Sequence, residues 1–246
     1  MASSERVLLR LVADDDGRVS GVCRVRRHGD RTMVQLQVRP EDRRVGVGTA
    51  LVDEALARGD GPLDSIVNGD DGSLAAARRW GFVLGRELAM SAVDPRSVPA
   101  PSEPTVPLSD IDPVQIWRTY AAVAGDDPSG LSDSGTQASF LDEDWRHPDH
   151  RPDLGRAVVD GDRVLSFAMV LLAGARAWNE FTGTHPEARG NGLAHRVKAA
   201  SLAALATAGA TSCGTGNDAR NEPMLAVNHA LGYAPSATSY AATRAG

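Results

Sequence analysis

The chain carries two copies of one motif, and this duplication is the feature that most restricts how it can fold. Each copy has an apolar segment, a proline, a loop of the form Arg-x-x-Gly-x-small and a helical segment. Residues 38–48 (VRPEDRRVGVG) match residues 184–194 (THPEARGNGLA), and further along Trp80-Gly81-Phe82 matches Leu231-Gly232-Tyr233. Self-similarity of this kind predicts two units with the same order of elements.

Periodicity and turn residues predict a common strand–loop–helix order in both halves. Alternating segments at residues 20–26 and 33–38 precede a helix over residues 49–58. In the second half, a strand over residues 177–184 precedes a helix over residues 193–208. Strands followed by helices within one unit indicate an α/β arrangement.

A proline-rich stretch separates the halves. Six prolines fall within residues 94–113, and proline both removes a backbone donor and disfavours helix in the preceding residue. This composition favours a semi-extended linker. The predicted fold is α/β with a mixed sheet in two tandem domains, the first truncated. The predicted boundaries are residues 1–94, 95–110 for the linker and 111–246.

Composition argues against several classes of function. The net charge of −6 is unfavourable for binding nucleic acid but suits a cationic acceptor. Cys23 and Cys213 form neither a disulfide framework nor a metal-ligand spacing, and His147 with His150 lacks a third ligand, so we expect no metal site. No apolar run is typical of a signal peptide or reaches the ~18 residues of a membrane span. We expect a cytoplasmic monomer or homodimer without a nucleic-acid or membrane partner.

The loop in the second half has the chemistry of a phosphate site. Gly190 and Gly192 have no Cβ, so a ligand can approach the backbone closely. Backbone N–H groups of such a loop and of the helix that follows form a positive nest for a diphosphate. Arg189 adds a charged donor.

Residues 180–233 resemble the GCN5-related N-acetyltransferase superfamily. The resemblance lies in "THPEARGNGLAHRVK", which is similar to the pyrophosphate motif of that family, and in "GTGNDARNEPMLAVNHALGY", which is similar to the segments that flank the pantetheine arm. The tandem arrangement resembles mycothiol synthase and related two-domain members. The resemblance implies that acetyl-CoA is the co-substrate. The implied cofactor-binding residues are Thr184, Arg189, Gly190, Asn191, Gly192, Leu193, Ala194, Asn217 and Asn221.

The resemblance also implies direct acyl transfer to a small-molecule primary amine in a ternary complex. The N–H of Thr182 would polarise the thioester carbonyl, and Glu180 matches a position that often supplies the general base. Regular strand periodicity predicts that Trp178, Glu180, Thr182 and Thr184 share one face. The alternative for Glu180 is an ordinary exposed or paired glutamate.

Asn228 departs from the family pattern. Many members have a tyrosine at this position, which protonates the departing CoA thiolate, and an amide cannot act as a general acid. Either Asn228 only donates a hydrogen bond, or Tyr240 or a water supplies the proton, or the thiolate leaves unprotonated.

An acidic segment is the candidate acceptor wall. Asp142 and Asp144 would favour a cationic amine, and Trp145 could stack on it; the alternative is a solvated acidic turn.

The N-terminal copy has a possible second CoA site. The candidate residues are Val38, Arg43, Arg44, Gly46 and Gly48. Because the positions that match Glu180 and Asn228 are Val34 and Ala77, we predict that this copy is not catalytic; whether it binds CoA stays open.

Three functions follow from these patterns. The favoured one is an acetyl-CoA-dependent N-acetyltransferase that acts on a small, cationic amine. A non-catalytic acyl-CoA sensor is the alternative from another class, supported by Asn228 and the truncated first half. Mycothiol synthase ranks lower, because the halves are shorter than expected for it.

Overall fold

The computed structural model describes residues 9–15, 17–28, 31–58, 61–128 and 135–245. It divides into two compact units, one formed by Met1–Glu87 with Thr238–Gly246 and the other by Leu88–Ala237. The two strand–loop–helix repeats fall in different units, and each unit has helices on a mixed sheet. The predicted α/β fold in tandem is therefore confirmed.

The first unit is built on strands β1 to β4 and the end of the last strand of the chain, β11. The strand order is β1-β2-β3-β4-β11, in which only β3 and β4 are parallel neighbours. Apolar side chains of α1, including Leu51 and Ala55, pack on Val25, Val34 and Phe82 to form its core. The elements are β1 Leu9–Asp15, β2 Arg18–His28, β3 Arg31–Val38, α1 Val47–Arg58, β4 Leu63–Asn68, α2 Asp71–Arg79 and β11 Ala234–Arg244.

The second unit contains a sheet with a hydrophobic core on each face. Its strand order is β5-β10-β9-β8-β7-β6. The elements are β5 Val83–Val93, β6 Val106–Pro107, α3 Pro113–Val123, α4 Gln137–Ser139 with a π-helical turn Phe140–Trp145, β7 Arg156–Asp160, β8 Arg163–Ala173, β9 Arg176–Thr184, α5 Leu193–Thr207, β10 Ser212–Asp218 and α6 Glu222–Ala230. One core joins Leu202 and Leu205 of α5 to Val170, and the other joins Ile116 of α3 to Phe167.

The boundaries between units differ from those predicted. Strand β5 begins in the first unit and ends in the second, and β11 does the reverse, so the last residues of the chain complete the first sheet. The stretch 95–110 packs as part of the second unit. Its Pro95 and Leu108 are fully buried, and β6 pairs with β7. Proline spacing alone does not distinguish a free linker from a packed irregular segment.

Local signals account for several helix ends. The Asp112 carboxylate accepts a hydrogen bond from the Val114 N–H at 2.9 Å, and Pro113 occupies the first turn, which confirms the predicted start of α3. Helix α5 ends at Thr207, two residues before Gly209, whose φ is +89°.

Candidate active site

Two neighbouring parallel strands of the second unit separate and leave an opening. Strand β10 pairs with β9 at Ser212, Cys213 and Gly214, whose partners are Arg176, Ala177 and Trp178. Beyond Trp178 the ladder between the two strands ends. The backbone of β9 from Asn179 onwards is therefore available on this side to an extended ligand that pairs as an added strand.

A β-bulge lies on the other side of β9 at the same level. Met169 of β8 pairs with Phe181, but Val170 pairs with Asn179, so Glu180 is an extra residue in β9 at which the register shifts. Glu180 is exposed. A bulge thus singles out the residue that the sequence assigns as the base.

The bulge makes the predicted sharing of faces wrong. Paired residues lie on the same face of a sheet, and Trp178 is opposite Leu171 while Thr182 is opposite Ala168. Leu171 and Ala168 point to opposite faces of the sheet, because successive residues of β8 alternate between its faces. Their partners Trp178 and Thr182 therefore also project from opposite faces. The extra residue shifts the alternation of faces along β9 by one position. Thr184 lies beyond the bulge and projects from the same face as Thr182.

The side chains of Thr182 and Thr184 are held by neighbours. The Thr182 hydroxyl donates to the Asn179 Oδ1 at 3.0 Å. The Thr184 hydroxyl lies 2.9 Å from that of Ser166, which is fully buried. The strand end that leads into the phosphate loop is therefore fixed by side-chain hydrogen bonds as well as by its ladder.

The loop at residues 189–194 has the backbone of an anion site. Gly190 and Gly192 adopt φ of +79° and +71°, in the left-handed region that favours glycine. Gly192 is the N-cap of α5 and provides no side-chain cap. The N–H groups of the first turn, from Leu193 and Ala194 on, are consequently left to an external acceptor such as a phosphate.

Two polar side chains of this loop brace it from within. Arg189 Nε donates to the Thr184 carbonyl at 3.2 Å, and its guanidinium also forms an ion pair with Asp126. Asn191 Nδ2 donates to the carbonyls of Ala188 and Arg189, each at 3.2 Å. Both residues shape the loop, and phosphate contacts from their side chains stay a prediction.

Asn217 and Asn228 form a pair beside the opening. Asn228 Nδ2 donates to Asn217 Oδ1 at 2.8 Å. Asn228 is only 3% exposed, and its Oδ1 is buried without a partner among the described residues. Asn221 has a different part in the structure, since its side chain caps α6 by accepting from the Met224 N–H at 3.3 Å.

The residues of the predicted acceptor wall are engaged with neighbours. Asp142 forms an ion pair with Arg146 one helical turn away. Trp145 packs edge-on against His150 with ring centroids 4.9 Å apart, and it also contacts Phe140. Burial lowers the pKa of His150. An acceptor role for Asp142, Asp144 and Trp145 stays a prediction.

A buried polar cluster that the sequence analysis did not find lies under α5. Lys198, the one lysine of the chain, is 2% exposed, and its Nζ lies 5.1 Å from the centre of the Tyr233 ring. The Tyr233 hydroxyl donates to Cys213 Sγ at 3.5 Å. Desolvation lowers the pKa of Lys198 to about 7 and raises the pKa of Tyr233 and of Cys213.

The first unit repeats the opening and the loop. Strand β3 pairs with β4 only at Thr32 and Met33, so these parallel strands also separate. Arg44 and Gly46 occupy the positions of Gly190 and Gly192, with φ of +67° and +98°. Arg43 Nε donates to the Val38 carbonyl at 3.1 Å, as Arg189 does to Thr184.

An open cleft of about 1450 Å³ lies within this unit. All five residues of the predicted second CoA site line it, namely Val38, Arg43, Arg44, Gly46 and Gly48. Arg39 and Arg79 also reach it, which gives the cleft a strongly cationic lining.

Comparisons with known proteins decide the family. No protein-family model matches the chain. A mycothiol acetyltransferase from a Nocardioides species is 30% identical over 224 residues, which cover 81% of this chain and 76% of that protein. The chain belongs to the GCN5-related N-acetyltransferase superfamily. The mycothiol acetyltransferase of Nocardia farcinica is 27% identical to this acetyltransferase, over 92% of this chain and 79% of the relative.

Solved structures agree on the fold. A tandem protein of the superfamily from the clavulanic acid biosynthesis pathway superimposes with a TM-score of 0.72 and 24% identity, over 99% of this chain and 84% of that one. A GCN5-related N-acetyltransferase from Sphaerobacter thermophilus gives 0.69 and 16%, over 94% and 78%. The predicted family and tandem arrangement are thereby confirmed.

Membership establishes the general chemistry. The protein is an acyltransferase that uses an acyl-CoA-type donor and a small-molecule acceptor. In the described part of the chain, no helix is both long and apolar enough to cross a bilayer.

Proposed function

We propose that the second unit transfers the acetyl group of acetyl-CoA to a primary amine of a small, cationic molecule, by direct attack in a ternary complex. One observation carries this proposal: Glu180 is the extra residue of a bulge in β9, at the level where β9 and β10 separate and on the strand that leads into the loop at residues 189–194. The candidate base, the opening and the loop therefore lie within one continuous segment, residues 179–194.

The donor occupies the opening in this proposal. Its diphosphate binds the N–H groups of the loop and of the first turn of α5. Its pantetheine arm pairs with the free side of β9 near Thr184, and the N–H of Thr182 polarises the thioester carbonyl. The acceptor approaches from the side of Glu180.

The reaction moves protons away from the amine and replaces the C–S bond of the thioester by a C–N bond. Glu180 removes a proton from the ammonium, directly or through water, and the neutral nitrogen attacks the carbonyl carbon. The C–N bond forms and the nitrogen loses its second proton to water. The tetrahedral intermediate then collapses to the amide, and the C–S bond breaks with its electron pair on sulfur.

Departure of the thiolate is the step at which this chain differs from the family pattern, because Asn228 stands where that pattern has a tyrosine. Asn228 is held by Asn217 and cannot give up a proton. We assign it a hydrogen bond to the sulfur or the pantetheine arm, with the proton coming from water. Tyr240 is a poor alternative, because it pairs with Val67 in the first unit.

A mycothiol precursor is the second candidate acceptor. The relatives named mycothiol acetyltransferase align over 76–80% of their own lengths, so both units have counterparts in them. This correspondence is an argument for the mycothiol precursor as acceptor. It outweighs the argument against it, which is that the halves of the chain are short.

We further propose that the cleft of the first unit holds a second CoA without turnover. The shared loop conformation and the arginine lining support binding. The buried Val34 and Ala77 leave no acid or base at the positions of Glu180 and Asn228.

The test combines turnover with stoichiometry. Free CoA thiol is followed after mixing acetyl-CoA with polyamines, aminoglycosides, amino acids or the mycothiol precursor, and calorimetry counts bound acetyl-CoA. Amine-dependent thiol release and two equivalents bound are expected. Binding without release for any amine supports the acyl-CoA sensor instead, and a single equivalent removes the second CoA site.

A further inference from the structure

Asn179 lies at the point where the ladder of β9 with β10 has ended and its ladder with β8 shifts register. On one side, the ladder with β10 ends one residue earlier, at Trp178. On the other side, the register with β8 shifts immediately after the pair of Asn179 with Val170. A strand whose ladders are ended on one side and interrupted on the other at one level must satisfy its backbone groups there in another way.

The Asn179 carboxamide supplies these bonds on the β8 side. The side chain is buried, with 5% exposed. Its Nδ2 donates to the Met169 carbonyl of β8 at 3.1 Å and to the Phe181 carbonyl across the bulge at 3.2 Å. Its Oδ1 accepts from the Thr182 hydroxyl at 3.0 Å. Both N–H groups and the oxygen of the amide are thus used to hold the extra residue in place.

The backbone of Asn179 is tied to β10 on the other side. Its carbonyl accepts from the Thr215 hydroxyl of β10 at 3.4 Å. This contact spans the level at which β9 and β10 separate. One residue therefore joins three strands where the opening begins.

We propose that Asn179 is a positioning residue for acyl transfer, whose carboxamide fixes the bulge that displaces Glu180 from the ladder and aims the Thr182 N–H. This inference rests on the proposed function of the second unit. Asn179 acts through Glu180 and Thr182. A displacement of about 1 Å in such a constellation costs on the order of 100-fold in rate.

Two substitutions test the assignment. Asn179→Ala removes all three side-chain bonds, and Thr182→Val removes one of them while keeping the Thr182 N–H. We expect kcat to fall about 100-fold in the first and about 10-fold in the second. The KM for acetyl-CoA should change less than about threefold, because the phosphate loop is untouched. The acid limb of the kcat–pH profile should move, since the surroundings of Glu180 change.

Thr119→Val is the matched control. It removes a comparable buried bond, from the Thr119 hydroxyl to the Val164 carbonyl at 2.9 Å, away from the bulge. This variant should lose stability but keep kcat and its pH profile. If Asn179→Ala does not fold, Thr182→Val decides. Folded variants with kcat within about twofold of the wild type would overturn the assignment.

Amide hydrogen exchange separates this inference from the proposed function. Exchange at Glu180, Phe181 and Thr182 should accelerate at least about tenfold in Asn179→Ala, whether or not any amine is acetylated. Unchanged exchange there overturns the positioning role. Accelerated exchange in a protein without turnover would instead retain Asn179 as the residue that holds the bulge and reject the proposed reaction.

Discussion

The two Arg-x-x-Gly-x-small loops of this acetyltransferase share one backbone conformation, whereas the strands that lead into them differ. Arg44 and Gly190 both adopt left-handed φ values, and Arg43 and Arg189 both donate to the last carbonyl of the preceding strand. Yet β3 pairs with β2 in an unbroken register, while β9 contains the bulge. In the proposed function, this difference separates CoA binding, which uses the loop and the opening, from acyl transfer, which also uses the Glu180 carboxylate at the bulge.

Arg44 makes the loop comparison sharper. A side chain at φ +67° costs roughly 1–2 kcal/mol relative to glycine. Strain of this kind persists where the surrounding structure holds the conformation. The first unit thus has the same left-handed loop conformation without the glycine that would make it free of strain.

Glu180→Gln should have the largest effect on activity. Removing the general base is expected to lower kcat by about 10²–10⁴-fold while the affinity for acetyl-CoA stays unchanged, as read from thiol release and calorimetry. Glu187→Gln is the matched control, because Glu187 lies on the turn after β9 and forms an ion pair with Arg163. Full activity of Glu180→Gln would remove the base assignment.

Lys198 and Val52 occupy matching positions on α5 and α1, and both are buried. Burial lowers the pKa of Lys198 to about 7 in the folded chain, against about 10.4 when unfolded. Below pH 7 Lys198 is charged in both the folded and the unfolded chain. Folding is then destabilised by the full free energy of burying the ammonium. Between pH 7 and about 10.4 that cost shrinks as pH rises, because the unfolded state holds more protons.

Lys198→Met should therefore stabilise the protein by roughly 4 kcal/mol at pH 7, and the gain should vanish toward pH 10.4. Urea unfolding across this range measures it. A gain that is constant with pH, or that grows as pH rises, would contradict a neutralised lysine. Val52→Ala serves as a control, because its loss of stability carries no proton and should not depend on pH.

Exchanging the loop residues tests whether the shared backbone is imposed by the fold. Gly190→Arg should cost roughly 1–2 kcal/mol, and Arg44→Gly should recover up to about 1 kcal/mol, because glycine also makes the unfolded chain more flexible. Thermal unfolding of the two variants gives both values. A neutral Gly190→Arg would mean that the second loop does not need its left-handed residue.

The helix caps should show the smallest effect. Asn221 and Asp70 begin matching helices and accept N–H bonds from Met224 and Ser73. Replacing either with alanine should cost about 1 kcal/mol. If Asn221→Ala also weakens acetyl-CoA binding beyond about threefold, the predicted cofactor contact is present in addition to the cap.

Local signals made much of this fold predictable. Asp112-Pro113 marked the start of α3, and paired glycines after a strand marked the loop at residues 189–194. Strand β5 escaped prediction, because Gly85 and the adjacent charges of Arg86 and Glu87 interrupt its apolar pattern. It forms because β10 offers it a partner, which is a tertiary effect.

The site was predictable in its residues but not in its geometry. Glu180 was identified from the family resemblance, whereas the bulge that displaces it was not, because alternation assumes a regular strand. Asn179 reads in the sequence as an ordinary polar residue of a strand. Its contact with the bulge is seen only in the hydrogen bonds that its carboxamide forms in the structure.

The central claim is that the second unit performs acyl transfer and the first does not. Turnover of acetyl-CoA in the variants Gly192→Val and Gly46→Val tests it directly, because each places a β-branched residue at a positive φ in one loop only. The account predicts that Gly192→Val loses amine-dependent thiol release and that Gly46→Val retains most of it. Loss of turnover in Gly46→Val with activity preserved in Gly192→Val would contradict it.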